Sequence, residues 1–83
     1  MWQASRLAAF QLVVRHLDQV GVLAEVLGAI RRHALNVEEM ENTIFDGAVA
    51  ASAKIRLSAR PSPELLEEIR RAPSIIHVDM VEL

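Results

Sequence analysis

Residues 15–23, R-H-L-D-Q-V-G-V-L, form the stretch on which the predicted fold depends. An apolar, strand-like run leads into this stretch, a polar turn follows, and a helix then begins with Val22 and Leu23. The N–H groups at the start of a helix have no partner inside the helix and favour an anion. Because His16 and Asp18 stand beside this turn, we expect it to bind a small zwitterion.

The composition indicates one small domain with an aliphatic core. The chain has 83 residues, of which 52% are hydrophobic and 4% aromatic. Its formal net charge is −2 and it contains no polybasic run, so we expect neither nucleic acid nor a membrane surface as a partner. Cysteine is absent and the sequence has no signal-peptide pattern, so we predict a cytoplasmic location.

Apolar periodicity predicts strands and helices in the order β-α-β-β-α-β. We interpret residues 1–6 as a lead or linker remnant and residues 7–83 as the folded domain. The predicted elements are, in chain order, residues 7–14, 21–33, 37–45, 48–58, 63–72 and 75–83.

Local signals mark where these elements bend and begin. The second strand is out of phase with itself around residues 38–39, which predicts a β-bulge. The Asp46-Gly47 pair that follows predicts a hairpin turn with positive φ at both positions. Ser62 is placed to cap the second helix, with Pro63 at its first position.

This element order fits an α+β fold of the ferredoxin-like βαββαβ kind. We expect a four-stranded antiparallel sheet in the order 4-1-3-2, with both helices on one face. The second strand is then an edge strand. An exposed edge is normally charged, covered or paired with another chain, so this edge is a candidate contact between copies.

The residue types present argue against several classes of activity. The third strand offers no aromatic side chain on which RNA bases could stack. The serines are scattered away from the histidines, so we predict no catalytic residues. His16 and Asp18 are two possible metal ligands without a third, and the chain has no glycine-rich dinucleotide turn, so we predict neither a metal nor a cofactor.

The turn itself offers two interpretations for each of its polar side chains. A ligand carboxylate can accept from the N–H groups of Gly21, Val22 and Leu23. Asp18 then either faces a ligand ammonium group or simply caps the helix. His16 either contacts a ligand or merely ends the strand. Asn36, between the first helix and the second strand, is either a binding residue or an ordinary helix terminator.

Three segments carry a family likeness: R-H-L-D-Q-V-G-V-L at residues 15–23, A-L-N-V at 34–37 and E-N-T-I-F-D-G-A at 41–48. Together they resemble the ACT domain, a ligand-sensing regulatory module, and most closely the one at the C-terminus of D-3-phosphoglycerate dehydrogenases. The resemblance extends over residues 7–83. It implies a βαββαβ fold and a non-catalytic role in the allosteric regulation of an attached enzyme.

The resemblance also implies where an effector binds. In the serine-sensing members, the positions that correspond to His16, Asp18 and Asn36 hold an amino acid, with the asparagine supplied by a second copy. The two copies join through their second strands into an eight-stranded sheet. The resemblance therefore implies a homodimer whose first candidate effector is L-serine, attached to a dehydrogenase of serine biosynthesis.

Three positions depart from the family pattern. Val20 stands where a proline usually precedes the glycine, Asp18 replaces an amide, and Ala34 replaces the glycine often found after the first helix. Asp18 introduces a negative charge that attracts an ammonium group and repels a carboxylate. Val20 and Asp18 thus favour a second hypothesis, in which the chain is a structural dimerisation module that binds no ligand.

Overall fold

A computed structural model of the chain describes residues 10–45, 47 and 49–83. Within these residues the elements are β1 (Phe10–Leu17), α1 (Val22–Arg32), β2 (Val37–Ile44), β3 (Ala50–Leu57), α2 (Pro63–Arg70) and β4 (Ile75–Glu82). The predicted βαββαβ order is confirmed. The predicted lead at residues 1–6 and the proposed domain boundary at residue 7 lie outside the described residues.

The strands form one antiparallel sheet in the order β2-β3-β1-β4, which is the predicted order read from the other edge. β1 and β3 are central, and β2 and β4 are edges. Side chains from both helices and from one face of the sheet join a single buried cluster, so both helices cover the same face. The buried cluster consists of Leu12, Val14, Val26, Ala29, Ile30, Ala53, Ile55, Leu57, Leu65, Ile69 and Val78.

The first strand extends further than its apolar run predicts. It continues through Arg15 and His16 to Leu17, whereas the prediction ended it at residue 14. Alternate residues of the strand stay buried as far as His16 because each projects toward the helices. His16 therefore belongs to the sheet, and the turn begins only after Leu17.

Helix α1 begins and ends with residues in the left-handed region. Its N-cap is Gly21 with φ 87°, one residue before the helix proper, so the predicted start at residue 21 is shifted to Val22. At the other end, Ala34 has φ 60°. The N–H groups of Ala34 and Leu35 donate to the carbonyl oxygens of Arg31 and Ile30, the hydrogen-bond pattern of a Schellman motif.

The signals at the second helix are confirmed, and its end is corrected. The hydroxyl of Ser62 accepts from the N–H of Leu65 at 3.1 Å, and Pro63 is the first helical residue. The helix ends at Arg70, earlier than the predicted residue 72. The C-terminal carbonyl oxygens are still used, since the N–H of Ala72 donates to Ile69 at 3.1 Å.

The hairpin between β2 and β3 is confirmed, although its connection is longer than a two-residue turn. The N–H of Phe45 donates to the carbonyl oxygen of Ala50 at 3.4 Å, so β3 begins at Ala50 and not at residue 48. Gly47 has φ 74°, as the turn signal requires, while Asp46 lies outside the described residues. The predicted bulge is present as a register shift between Val37 and Glu39.

Candidate functional site

His16 is the buried polar residue beneath the turn. Its side chain is 1% exposed on the helix-facing side of β1. The Nδ1 atom lies 2.9 Å from the carbonyl oxygen of Leu17, and the Nε2 atom lies 2.9 Å from the Oδ1 atom of Asn42. Both ring nitrogens are therefore engaged, which is what allows a polar ring to be buried at this position.

The bond from His16 to Asn42 crosses the central strand β3. His16 on β1 pairs with Ala51 of β3, and Asn42 on β2 pairs with Ala53. Strands that flank a common neighbour are about 9.5 Å apart, which two side chains can span only if the residues between them are small. Both intervening alanines are completely buried. The alanines of β3 thus leave room for a hydrogen bond between the two flanking strands.

Hydrogen-bond chemistry restricts the protonation of His16. The carbonyl oxygen of Leu17 can only accept, so Nδ1 carries a hydrogen and donates it. When the ring carries a single hydrogen, that hydrogen is therefore on Nδ1. In the neutral ring Nε2 is an acceptor, and the side-chain NH₂ of Asn42 donates to it once the amide oxygen and nitrogen are exchanged.

Neighbouring loops hold the turn in place. The N–H of Asp18 donates to the carbonyl oxygen of Val49 at 2.7 Å, next to the end of the hairpin. On the other side, the N–H of Leu17 donates to the carbonyl oxygen of Ser74 at 2.9 Å. The Ser74 hydroxyl donates to Oε1 of Gln19, also at 2.9 Å. The turn is therefore fixed between the β2–β3 hairpin and the segment that precedes β4.

The hypothesis that Asp18 caps the helix is wrong. The N-cap position of α1 is Gly21, and no side chain among the described residues makes a capping hydrogen bond there. A side chain three residues before the N-cap is too early in the chain for this role. Asp18 is exposed, so its carboxylate is accessible to solvent or to a ligand.

The start of α1 offers fewer N–H groups than the sequence suggests. The N–H of Val22 points to the carbonyl oxygen of Gln19 at 3.4 Å, and the N–H of Glu25 donates to Gly21 at 3.0 Å. The N–H of Leu23, by its position in the first turn, has no partner within the helix. Nothing lies within 4 Å of a Cβ built on Gly21, so its φ of 87° is the reason for glycine there.

Asn36 lies at the opposite end of the sheet from His16 within one chain. Its N–H donates to the hydroxyl of Ser58 at 3.3 Å, and its carbonyl oxygen accepts from the N–H of Ser58 at 3.1 Å. His16 pairs with Ala51, whereas the neighbour of Asn36, Val37, pairs with Leu57. Six residues of extended strand correspond to about 20 Å. One chain therefore does not bring Asn36 to His16.

Strand β2 has an open edge and exposed apolar side chains. It pairs with β3 on one side, and no described strand pairs with its other side. Met40 and Ile44 project to the helix-facing side, yet Ile44 is 56% exposed because neither helix extends over this edge. Val37 and Phe45 are exposed at its two ends. We call Val37, Met40, Ile44 and Phe45 the edge surface.

Two recesses in the described residues lie away from the turn. One, of about 230 Å³, lies between α1 and α2 around Val26, Ala29 and Ile69. The other, of about 260 Å³, lies on the open face of the sheet beside Glu41 and Lys54. Neither of these two recesses is lined by a residue of the turn.

The described residues contain neither a metal-binding cluster nor a membrane-spanning helix. No group of three or more histidine, cysteine, aspartate or glutamate side chains in residues 10–45, 47 and 49–83 could hold a metal ion. No helix in the same part of the chain is long and apolar enough to cross a membrane.

Solved structures match the chain over most of its length. The C-terminal domain of the MgtC protein from Mycobacterium tuberculosis matches with a TM-score of 0.76 and 13% identity, covering 100% of this chain and 94% of that chain. The ACT domain from GTP pyrophosphokinase of Chlorobium tepidum matches with a TM-score of 0.70 and 13% identity, covering 88% and 96%. The chain has an ACT-like fold.

A similar fold also occurs as a small part of a larger protein. A homoserine dehydrogenase from Thiobacillus denitrificans matches with a TM-score of 0.71 and 15% identity, covering 92% of this chain but 17% of that chain. Neither a protein-family model nor a curated protein matches the sequence. At these identities the similarity establishes the fold alone.

Asn42 is the residue of this site that the sequence did not single out. It lies within the E-N-T segment that contributes to the family likeness, but no role followed from its position in the sequence. The available signal was the alternation of β2, which places Asn42 on the helix-facing side beside the alanines of β3. A polar residue at an inward position needs a partner, and His16 is the buried polar side chain within reach.

Proposed function

We propose that this chain is a ligand-sensing regulatory domain that acts as a homodimer and binds an amino acid between its two copies. The observation that carries the proposal is the position of His16, buried beneath an exposed turn that bears Asp18. The ACT-like fold supports the same function, because its solved examples include one domain within a dehydrogenase. The first candidate effector is L-serine.

Pairing of two β2 edges supports a site shared between copies. In an antiparallel pair related by a two-fold axis, the start of one β2 lies opposite the end of the other. Asn36 of the partner subunit would then lie near Ile44, and Ile44 is linked through Ala51 to His16 in the sheet register. The edge surface would be covered in the same step.

The charges of the site fit a zwitterionic ligand. The carboxylate of Asp18 attracts the ammonium group, while the N–H of Leu23 and the positive end of the α1 dipole attract the carboxylate. Asn36 of the partner subunit closes the side that one chain leaves open. We assign no catalytic residue, metal or cofactor to this site.

The mechanism is thermodynamic linkage. A ligand that contacts both copies stabilises one arrangement of the pair relative to others, and an attached catalytic domain responds to that arrangement. We propose a dehydrogenase of the phosphoglycerate dehydrogenase kind, acting in serine biosynthesis in the cytoplasm, as the enzyme so regulated. That enzyme would supply the dinucleotide-binding domain, because this chain has no glycine-rich dinucleotide turn.

Calorimetric titration of the chain with L-serine and the other common amino acids tests this proposal. We expect heat from at least one amino acid, and we expect Asp18→Ala to abolish it while leaving the dimer and the unfolding midpoint unchanged, because Asp18 caps no helix. Heat from none of the amino acids would contradict ligand sensing.

A structural dimerisation module remains the second candidate. Two features favour it: Val20 is fully exposed in place of the usual proline, and Asp18 replaces an amide with a charge that repels a carboxylate. Sedimentation analysis separates the two candidates when combined with the titration. A dimer without any amino-acid heat supports the structural module, and a monomer contradicts both.

A further inference from the structure

The candidate site contains a hydrogen bond that a ligand of His16 has to replace. The Nδ1 atom of His16 is engaged within its own strand by the carbonyl oxygen of Leu17. The Nε2 atom is thus the ring atom left for another group, and Asn42 occupies it at 2.9 Å. Since His16 is only 1% exposed, a ligand has no other polar atom of the ring to approach.

We propose that Asn42 is a positioning residue that occupies Nε2 of His16 in the ligand-free domain and yields this atom to the effector. This inference rests on the proposed function and adds the chemistry of recognition. Because Nδ1 carries the hydrogen, Nε2 accepts, so the effector group that replaces the Asn42 amide is a donor. The ammonium or hydroxyl group of an amino acid fits, and a bare carboxylate does not.

The position of Asn42 links this exchange to the edge of the sheet. Asn42 lies on β2 between Met40 and Ile44, two residues of the edge surface. Its bond to His16 ties the edge strand to β1 across β3, in addition to the ladder with β3 itself. When a ligand takes the place of the Asn42 amide at Nε2, the hydrogen bond that ties β2 to β1 is lost. β2 is the strand that would contact a partner, so ligand binding loosens the edge strand.

Calorimetric titration with L-serine tests the exchange. We expect Asn42→Ala to bind L-serine about fivefold more tightly than the wild type, because one neutral hydrogen bond no longer has to be broken. We expect Asn42→Asp also to bind L-serine more tightly than the wild type, because a carboxylate has no hydrogen to donate to Nε2 and the tie is lost. The control is Thr43→Ala, on the opposite face of β2, with unchanged affinity. Weaker binding by Asn42→Ala would overturn the exchange, because it would mean that Asn42 supports the binding of L-serine and does not compete with it.

A measurement without ligand tests the bond itself. Nitrogen-15 spectra of the imidazole should report the Nδ1–H form of His16 in the wild type and a changed Nε2 signal in Asn42→Ala. Amide exchange in β2 should accelerate in Asn42→Ala and stay unchanged in Thr43→Ala. Identical ring signals and exchange rates in Asn42→Ala and the wild type would overturn the role of Asn42.

The two measurements separate this inference from the proposed function. If the wild type binds neither L-serine nor any other amino acid, the proposed function and the exchange both fail. The spectra then still decide whether Asn42 holds His16. If the wild type binds L-serine but the Asn42 variants bind it with unchanged affinity, the proposed function stands and the inference is overturned.

Discussion

The Nε2 atom of His16 and the side-chain amide of Asn42 lie 2.9 Å apart, although one residue is on a central strand and the other on an edge strand that is not its neighbour. Two alanines of β3, Ala51 and Ala53, lie between them. This relationship gives the sheet a polar link beneath the turn, and it accounts for a buried histidine among the apolar residues of the core.

A larger residue at Ala53 should break the link. Ala53→Val adds two methyl groups to a completely buried position, and overpacking of this kind costs about 1–3 kcal/mol of unfolding free energy. The control is Ser52→Val, on the open face of the same strand, which should change stability by less than about 0.5 kcal/mol. Urea denaturation measures both. Equal effects of the two substitutions would show that the space between His16 and Asn42 is not restricted.

The C-terminal end of α1 contains strain that a glycine should relieve. Ala34 has φ 60°, which costs a non-glycine residue about 1–2 kcal/mol. Ala34→Gly should therefore stabilise the chain by about 0.5–1 kcal/mol after the greater backbone entropy of glycine is subtracted. Ala24→Gly, within the same helix, should destabilise it by a similar amount. In thermal unfolding, the midpoint should be highest for Ala34→Gly, intermediate for the wild type and lowest for Ala24→Gly. Destabilisation by Ala34→Gly would contradict this geometry.

The glycine that begins α1 should resist substitution for a conformational reason alone. Gly21→Ala places a Cβ in open space but at φ 87°, so we expect a loss of about 1–2 kcal/mol. Gly28→Ala is the control: its Cβ would meet Arg32 at an ordinary 3.6 Å within the helix, and it should stabilise the chain by about 0.5–1 kcal/mol. Chemical denaturation measures both changes. A neutral Gly21→Ala would mean that the turn adopts another conformation.

An ion pair between the helices should make stability depend on pH. The Arg32 guanidinium, and then His33, hold the pKa of Glu68 below its ordinary value. The lower pKa in the folded state means that the unfolded chain binds more protons, so this contribution is present above the unfolded pKa of about 4.3 and is lost as the pH falls through the folded value. Glu68→Gln should reduce the pH dependence of the unfolding midpoint below about pH 4.5. The control, Glu64→Gln on the same helix, should leave the pH dependence of the wild type unchanged. Identical pH profiles for the wild type and Glu68→Gln would contradict the pair.

Apolar periodicity was sufficient to predict the fold, whereas the polar contacts of the site were not predictable in the same way. The alternation of β1 and β3 and the helical spacing of α1 and α2 determine the elements and the buried face. The end of β1 was misplaced because charged Arg15 follows the apolar run, although the strand continues through the buried His16. Its burial depends on Asn42, 26 residues later, and such a pairing follows only from the three-dimensional register.

One of the two interpretations of Asp18, the helix cap, was wrong for a similar reason. An aspartate shortly before a helix is a common capping residue, and only the backbone shows that Gly21 occupies the N-cap. Asn36 illustrates a further limit, because its proposed role depends on a second copy. Position along one chain separates it from His16 by the length of β3.

The central claim is that one binding site is completed by residues of two chains, and mixing two inactive variants tests it most directly. His16→Ala removes the histidine from every site, and Asn36→Ala removes the partner's contribution, so we expect neither variant alone to give heat with L-serine. In a mixture, random exchange makes about half of the dimers mixed, and each of these has one intact site, so about a quarter of all sites should bind. Recovery of this heat on mixing is the predicted result. Binding by Asn36→Ala alone, or no recovery from a mixture of stable dimers, would contradict a shared site.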